Sequence, residues 1–96
     1  MDAETAQWVA AEQVIARKIA PPGDEFSIAG VERFGTTWVV YWNTRRFIET
    51  GDRRYAVAGN GPVMVGDDWR VAQAGSALPV EHYVAEFERE QSSGDS

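Results

Sequence analysis

Near the centre of the chain, Thr37-Trp-Val-Val-Tyr-Trp42 reads as an extended strand that is apolar on both faces. Side chains alternate across a strand, so Trp38, Val40 and Trp42 point one way while Val39, Tyr41 and Asn43 point the other. One face has to meet helices. The other is either covered in turn or left as an exposed patch, and such a patch marks a contact surface. The next residues narrow the fold further. Phe47-Ile-Glu-Thr-Gly-Asp52 ends in a turn signal, and Ala58-Gly-Asn-Gly-Pro-Val-Met-Val65 is a glycine-rich corner feeding another strand. Pro62 suits the first position of that strand, where a missing N–H is least felt.

The flanking segments supply helices and more strands. Residues 4–19 read as an amphipathic helix with Trp8, Ala11, Ile15 and Ile19 on one stripe, ended by Pro21-Pro22-Gly23. Glu12 borders that stripe and is expected to snorkel or meet an arginine. Phe26 to Val31 alternates as a first strand, and Phe34-Gly35 turns it into the second. Tyr55 to Ala58 adds a short extended segment, and Pro62–Val65 pairs with Arg70–Ala74 across Gly66-Asp67-Asp68-Trp69. Pro79 opens a second helix whose apolar stripe is Val80, Tyr83, Val84 and Phe87, and 91–96 is a polar tail expected to fray. The expectation is one α+β domain over 1–96. It is an antiparallel meander of three to four strands, with an N-terminal and a C-terminal helix packed on one face.

Composition excludes several functions. With 96 residues, 44% of them hydrophobic, the chain builds one small core. Fifteen acids against nine bases give a net charge of −6, which argues against nucleic acid and anionic membranes as partners. It suits solubility, or steering toward a basic protein. The charge is uneven: Glu81, Glu86, Glu88, Glu90 and Asp95 crowd the C-terminal segment, whereas Arg45, Arg46, Arg53 and Arg54 flank the Phe47–Asp52 segment. No cysteine is present, so disulfides and thiolate metal sites are out. Met1-Asp-Ala-Glu4 lacks the basic and apolar regions of a signal peptide, and no apolar run is long enough to span a membrane. A cytoplasmic protein is expected.

Catalytic chemistry has little material. His82 is the only histidine, and it lies opposite the apolar stripe of its helix, so neither a metal site nor a nucleophile–base pair is expected. Asp67-Asp68 is explained by turn chemistry and lacks the further oxygen ligands calcium needs. Gly59-Asn60-Gly61-Pro62 lacks the Lys-Ser/Thr of a phosphate loop and opens a strand, so it is expected to be a structural corner. The paired arginines are expected to meet the chain's own acids. No cofactor is implied.

In their order and spacing, four elements together resemble the immunity protein 35 (YrhB-like) family of bacterial polymorphic toxin systems. They are Gly35-Thr-Thr-Trp38 with its strand, Phe47-Ile-Glu-Thr-Gly-Asp52, Ala58-Gly-Asn-Gly-Pro62 and Pro79-Val-Glu-His-Tyr83. The resemblance covers most of residues 5–90. It departs at Asp67-Asp68-Trp69-Arg70, where the family's turn carries glycine and this chain carries Trp69. It implies a non-enzymatic cytoplasmic antidote that binds and occludes a cognate protein toxin encoded beside it, as a monomer or weak homodimer. A chaperone-like or accessory protein-binding module is the alternative, to be favoured by an exposed apolar sheet face. Residues the core does not need are the partner-binding candidates: Tyr41, Glu49, Asp52, Asp67 and Asp68.

Overall fold

The computed structural model describes residues 1–94, with side chains through residue 90. The chain runs α1 (Ala3–Gln13), β1 (Phe26–Phe34), β2 (Thr37–Thr44), α2 (Arg45–Thr50), β3 (Val63–Gly66), β4 (Val71–Gln73) and α3 (Val80–Gly94). Its four strands form one antiparallel sheet in the order β1-β2-β3-β4, which is the expected meander with a helix at each end.

The two long helices do not share a face. Val40, Trp42, Val63 and Val65 pack with Ala6, Val9 and Ala10 of α1. Val39 and Met64, their immediate neighbours along the strands, pack with Val84 and Phe87 of α3. The expected two-layer packing is therefore corrected to three layers, helix–sheet–helix. The reason is local to β2 and β3: Val39, Val40, Val63 and Val65 are all 0% exposed, so both pleat faces need an apolar cover.

Three helical expectations change. α1 stops at Gln13, six residues early, and gives way to a turn of 3-10 helix over Ile15–Arg17. Its buried face is Ala6, Val9 and Ala10, whereas Trp8 is 63% and Ile19 95% exposed. Small residues let α1 lie close to the sheet, and a Trp on that stripe would hold it away. Glu12 is exposed. The Phe47–Asp52 segment is not merely a turn. The Thr44 hydroxyl accepts from the Phe47 N–H at 3.2 Å and starts α2, which closes at Gly51 in the left-handed region. Of the expected extended segment Tyr55–Ala58, Tyr55 instead closes a 3-10 turn over Arg53–Tyr55, Ala56 is extended, and none of the four joins the sheet. At the other end, α3 includes Gln91 to Gly94 of the expected tail, and residues 95 and 96 lie outside the described residues.

The two turns of the sheet are tied to α3 at one end of the molecule. Gly35 takes φ +56 at the first central position of the β1–β2 hairpin, as a II′ turn requires. Glu88 of α3 accepts from the Thr36 N–H and the Thr37 hydroxyl, both at 3.1 Å. β1 is an edge strand, interrupted by a register shift at Ala29 and carrying Glu32 and Arg33 near its end.

At the other end of β2, the Gly-Asn-Gly-Pro corner is the structural element expected. Asn60 donates to the Trp42 carbonyl at 2.7 Å, and the Gly61 carbonyl accepts from the Trp42 indole at 3.0 Å. Phe26 packs edge-on against that indole, with centroids 4.9 Å apart. A Cβ on Gly61 would stand 1.7 Å from the Ala74 carbonyl oxygen, which is backbone and has nowhere to go. Gly61→Ala is accordingly expected to lose ~3 kcal/mol by overpacking. In a domain of this size that lowers the melting midpoint by roughly 12 °C or more, measurable by calorimetry. A melting point unchanged within 2–3 °C, roughly half a kcal/mol on that scale, would show that the corner yields freely.

Candidate partner-binding surface

The five candidate residues do not come together. Asp67 and Asp68 sit in the β3–β4 turn, beside the Thr37 end of β2, since Thr37 pairs with Gly66. Glu49 and Asp52 sit on and after α2, which begins at the Thr44 end. An eight-residue strand spans about 24 Å, so the two acidic pairs are that far apart. Tyr41 lies between them on the α3 side of the sheet, half-buried against that helix's core. Burial first, and the Glu32 carboxylate second, push its hydroxyl up to about 12.

Each of the four acids already holds an arginine. Arg33 grips Asp67 with two hydrogen bonds of 2.9 and 2.6 Å. Arg70 bonds Asp68 at 2.9 Å, then reaches the Phe87 carbonyl at 2.8 Å while stacking 4.3 Å over that ring. Arg54 closes on Asp52 at 2.7 Å, and Arg45 bridges Glu49 at 2.8 Å and Glu25 at 3.0 Å. Of the four arginines of this segment, Arg45 and Arg54 thus meet the chain's own acids as expected, whereas Arg46 lies over the Tyr55 ring and Arg53 makes no ion pair among the described residues.

The β3–β4 turn has a definite form. Gly66 accepts from the Trp69 N–H and donates to the Arg70 carbonyl, both at 2.9 Å, which makes Asp67-Asp68-Trp69 a three-residue hairpin loop. Such a loop places its third residue in the left-handed region, normally a glycine position. Trp69 occupies it at φ +71, the one non-glycine residue with positive φ among those described, and is 57% exposed. For a bulky side chain that conformation costs ~1–2 kcal/mol. Trp69 therefore keeps the turn and is itself strained.

The concavities are shallow and lined by charged side chains. A depression of about 350 Å³ is lined by Asp24, Glu25, Arg45, Arg46 and Glu49, where Arg45 is held between the two glutamates. A smaller groove of about 170 Å³ runs between β3–β4 and α3, lined by Met64, Phe87, Glu86 and Glu90. Among the described residues no group of three or more His, Asp or Glu side chains is placed to hold a metal ion, and no buried side-chain polar atom lacks a partner. No described helix is long and apolar enough to cross a membrane. His82 is exposed and beside Glu86 at 3.2 Å.

A four-stranded meander with a helix on each face, and surface acids paired to arginines, defines a small α+β domain. The chain belongs to the Immunity protein 35 family, whose model matches residues 5–86. It is similar to the Escherichia coli (strain K12) protein named "Uncharacterized protein YrhB", at 35% identity over 57 residues. That match covers 58% of this chain and 61% of the relative, less than two thirds of its length. No solved structure is matched.

Two aromatics are more exposed than the sequence suggests. Trp8 fits a helical period, but Ala6, Val9 and Ala10 fit one equally well and form the buried face. Trp69 stands out of the expected turn. Its signal was available, since a three-residue loop between strands needs a left-handed third residue and Trp is a poor choice there.

Arginine hydrogen bonds hold Asp52 and Asp67 below the ordinary carboxylate value of 3.8. At Asp68 desolvation pulls upward, but Arg70 outweighs it and the carboxyl is again lowered. The folded state thus binds fewer protons than the unfolded one just below pH 4. Stability from these pairs is complete above that range and drains as pH falls through the folded values. Thermal melts from pH 6 down to 2 should show the loss beginning near pH 4, with a shallower slope in Asp67→Asn/Asp68→Asn. Equal slopes would mean that neither pair contributes.

Proposed function

We propose that this protein is a non-enzymatic immunity protein that neutralises a cognate bacterial toxin by binding it one to one in the cytoplasm. Membership of the Immunity protein 35 family over residues 5–86 is the observation that carries the reading. Three features support it. Arg45 in the larger depression is already held between Glu25 and Glu49, the −6 charge favours encounter with a basic partner, and the sheet is braced by a helix on each face. Glu49, Asp52, Asp67 and Asp68 contribute to the contact surface as preset ion pairs, and Tyr41 does so through its half-buried side chain. The alternative, a client-holding module, needs an uncovered apolar sheet face, and both faces here carry a helix.

The test is a pairing with the toxin domain encoded beside this gene. The purified components should form a 1:1 complex by light scattering, and toxin activity should vanish at equimolar inhibitor. Charge reversal of Glu49, Asp52, Asp67 and Asp68 should slow association about tenfold at low salt. The neutral Gln/Asn set, which perturbs the fold less, should lie in between. No complex, or inhibition at a small fraction of equimolar, would refute stoichiometric occlusion. Unchanged affinity and salt dependence in both sets would remove the acids from it.

A further inference from the structure

Trp69 carries two burdens that the fold does not require of it. The backbone at this position favours glycine, yet the residue is the largest available, and its side chain is 57% exposed. It makes no ring stack, cation–π contact or side-chain hydrogen bond among the described residues. The turn around it is otherwise well satisfied. Arg33 and Arg70 clamp the two preceding aspartates, Asp67 N–H donates to the Thr36 carbonyl at 3.1 Å, and Arg70 anchors the loop to α3. An indole held out on a braced turn, with its neighbouring charges already neutralised, meets a partner without losing much conformational freedom.

We infer that Trp69 is the anchor of the inhibitory interface, inserting into an apolar pocket on the toxin that ends in a hydrogen-bond acceptor for the indole N–H. This rests on the immunity reading and names the central contact of that same interaction. The protruding shape sets the complementary surface as concave. Buried tryptophans at the centre of an interface dominate binding energy, while surrounding contacts, here the ion pairs, mainly exclude water. Self-docking is disfavoured by this chain's own larger depression, which is lined by charged side chains.

Strain makes the test sharp, because the same substitution is expected to help the fold and harm the binding. Trp69→Gly and Trp69→Asn both suit a left-handed position and both remove the indole. Calorimetry against the toxin domain encoded beside the gene should show each weakened at least roughly 30-fold, mostly through faster dissociation. The melting midpoint of Trp69→Gly should hold or rise by about 4 °C. Trp69→Phe, which keeps an aromatic ring, should stay within about tenfold of the parent chain. Parent binding that persists within about threefold in the glycine and asparagine variants overturns this inference alone. A melting point lowered by more than about 4 °C in both also overturns it, since the indole would then serve the fold. Concentration-dependent self-association that disappears in Trp69→Gly would make the occupant a second copy of this chain and overturn the assignment to the toxin. Absence of any binding by the parent chain overturns the immunity reading itself.

Discussion

Everything in this architecture follows from a strand that cannot leave either face in water. Val39 and Val40 are adjacent, point in opposite directions and are both 0% exposed. Burying one valine costs nothing if a helix covers its face; burying the next demands a second helix on the reverse. α1 answers the first requirement with Ala6, Val9 and Ala10, and α3 the second with Val84 and Phe87. In so small a domain the sheet is consequently its core, and the strands behave like those of a larger layered protein.

Fixing where those layers meet falls to polar contacts at the two ends of β2. At the Thr44 end, Trp42 is held by its own carbonyl and its indole to the Asn60–Gly61 corner, so one aromatic residue registers two distant pieces of chain. The Thr44 hydroxyl does double service there, donating to the Tyr55 carbonyl at 2.6 Å and capping α2. At the Thr37 end, Glu88 joins α3 to the first hairpin and Arg70 joins it to the second. These contacts give the short motifs around Trp42, Asn60 and Gly61 a structural rather than a catalytic role.

Much of this was legible in the sequence. Period-2 alternation exposed the strands, and the glycine and proline positions located the turns, because each depends on neighbours only a few residues away. The family resemblance, carried by the same local motifs, held across most of the chain. What failed was long-range or too short to register. The face of α1 was ambiguous because Trp8 and Ala11 compete with Ala6, Val9 and Ala10, and only the close approach to the sheet decides between them; Ile15, from the same expected stripe, does reach the core. α2 has six residues, below the length at which periodicity is measurable, and its true signature was the Thr44 cap. Helix sidedness was missed although β2 had advertised two apolar faces. The candidate acids were identified by exposure alone, and no sequence pattern revealed that Arg33, thirty-four residues away, would be waiting for Asp67.

The interrupted outer strand has a bearing on how such a protein can be used in a cell. β1 is nine residues long and offers its free edge to solvent, which in most proteins invites lateral growth into fibrils. The register shift at Ala29 and the charged side chains of Glu32 and Arg33 spoil that edge as a template. On the reading proposed above, an antidote that works mole for mole has to be stockpiled in at least the amount of the poison it meets. A reserve of that kind is only useful if its members ignore one another.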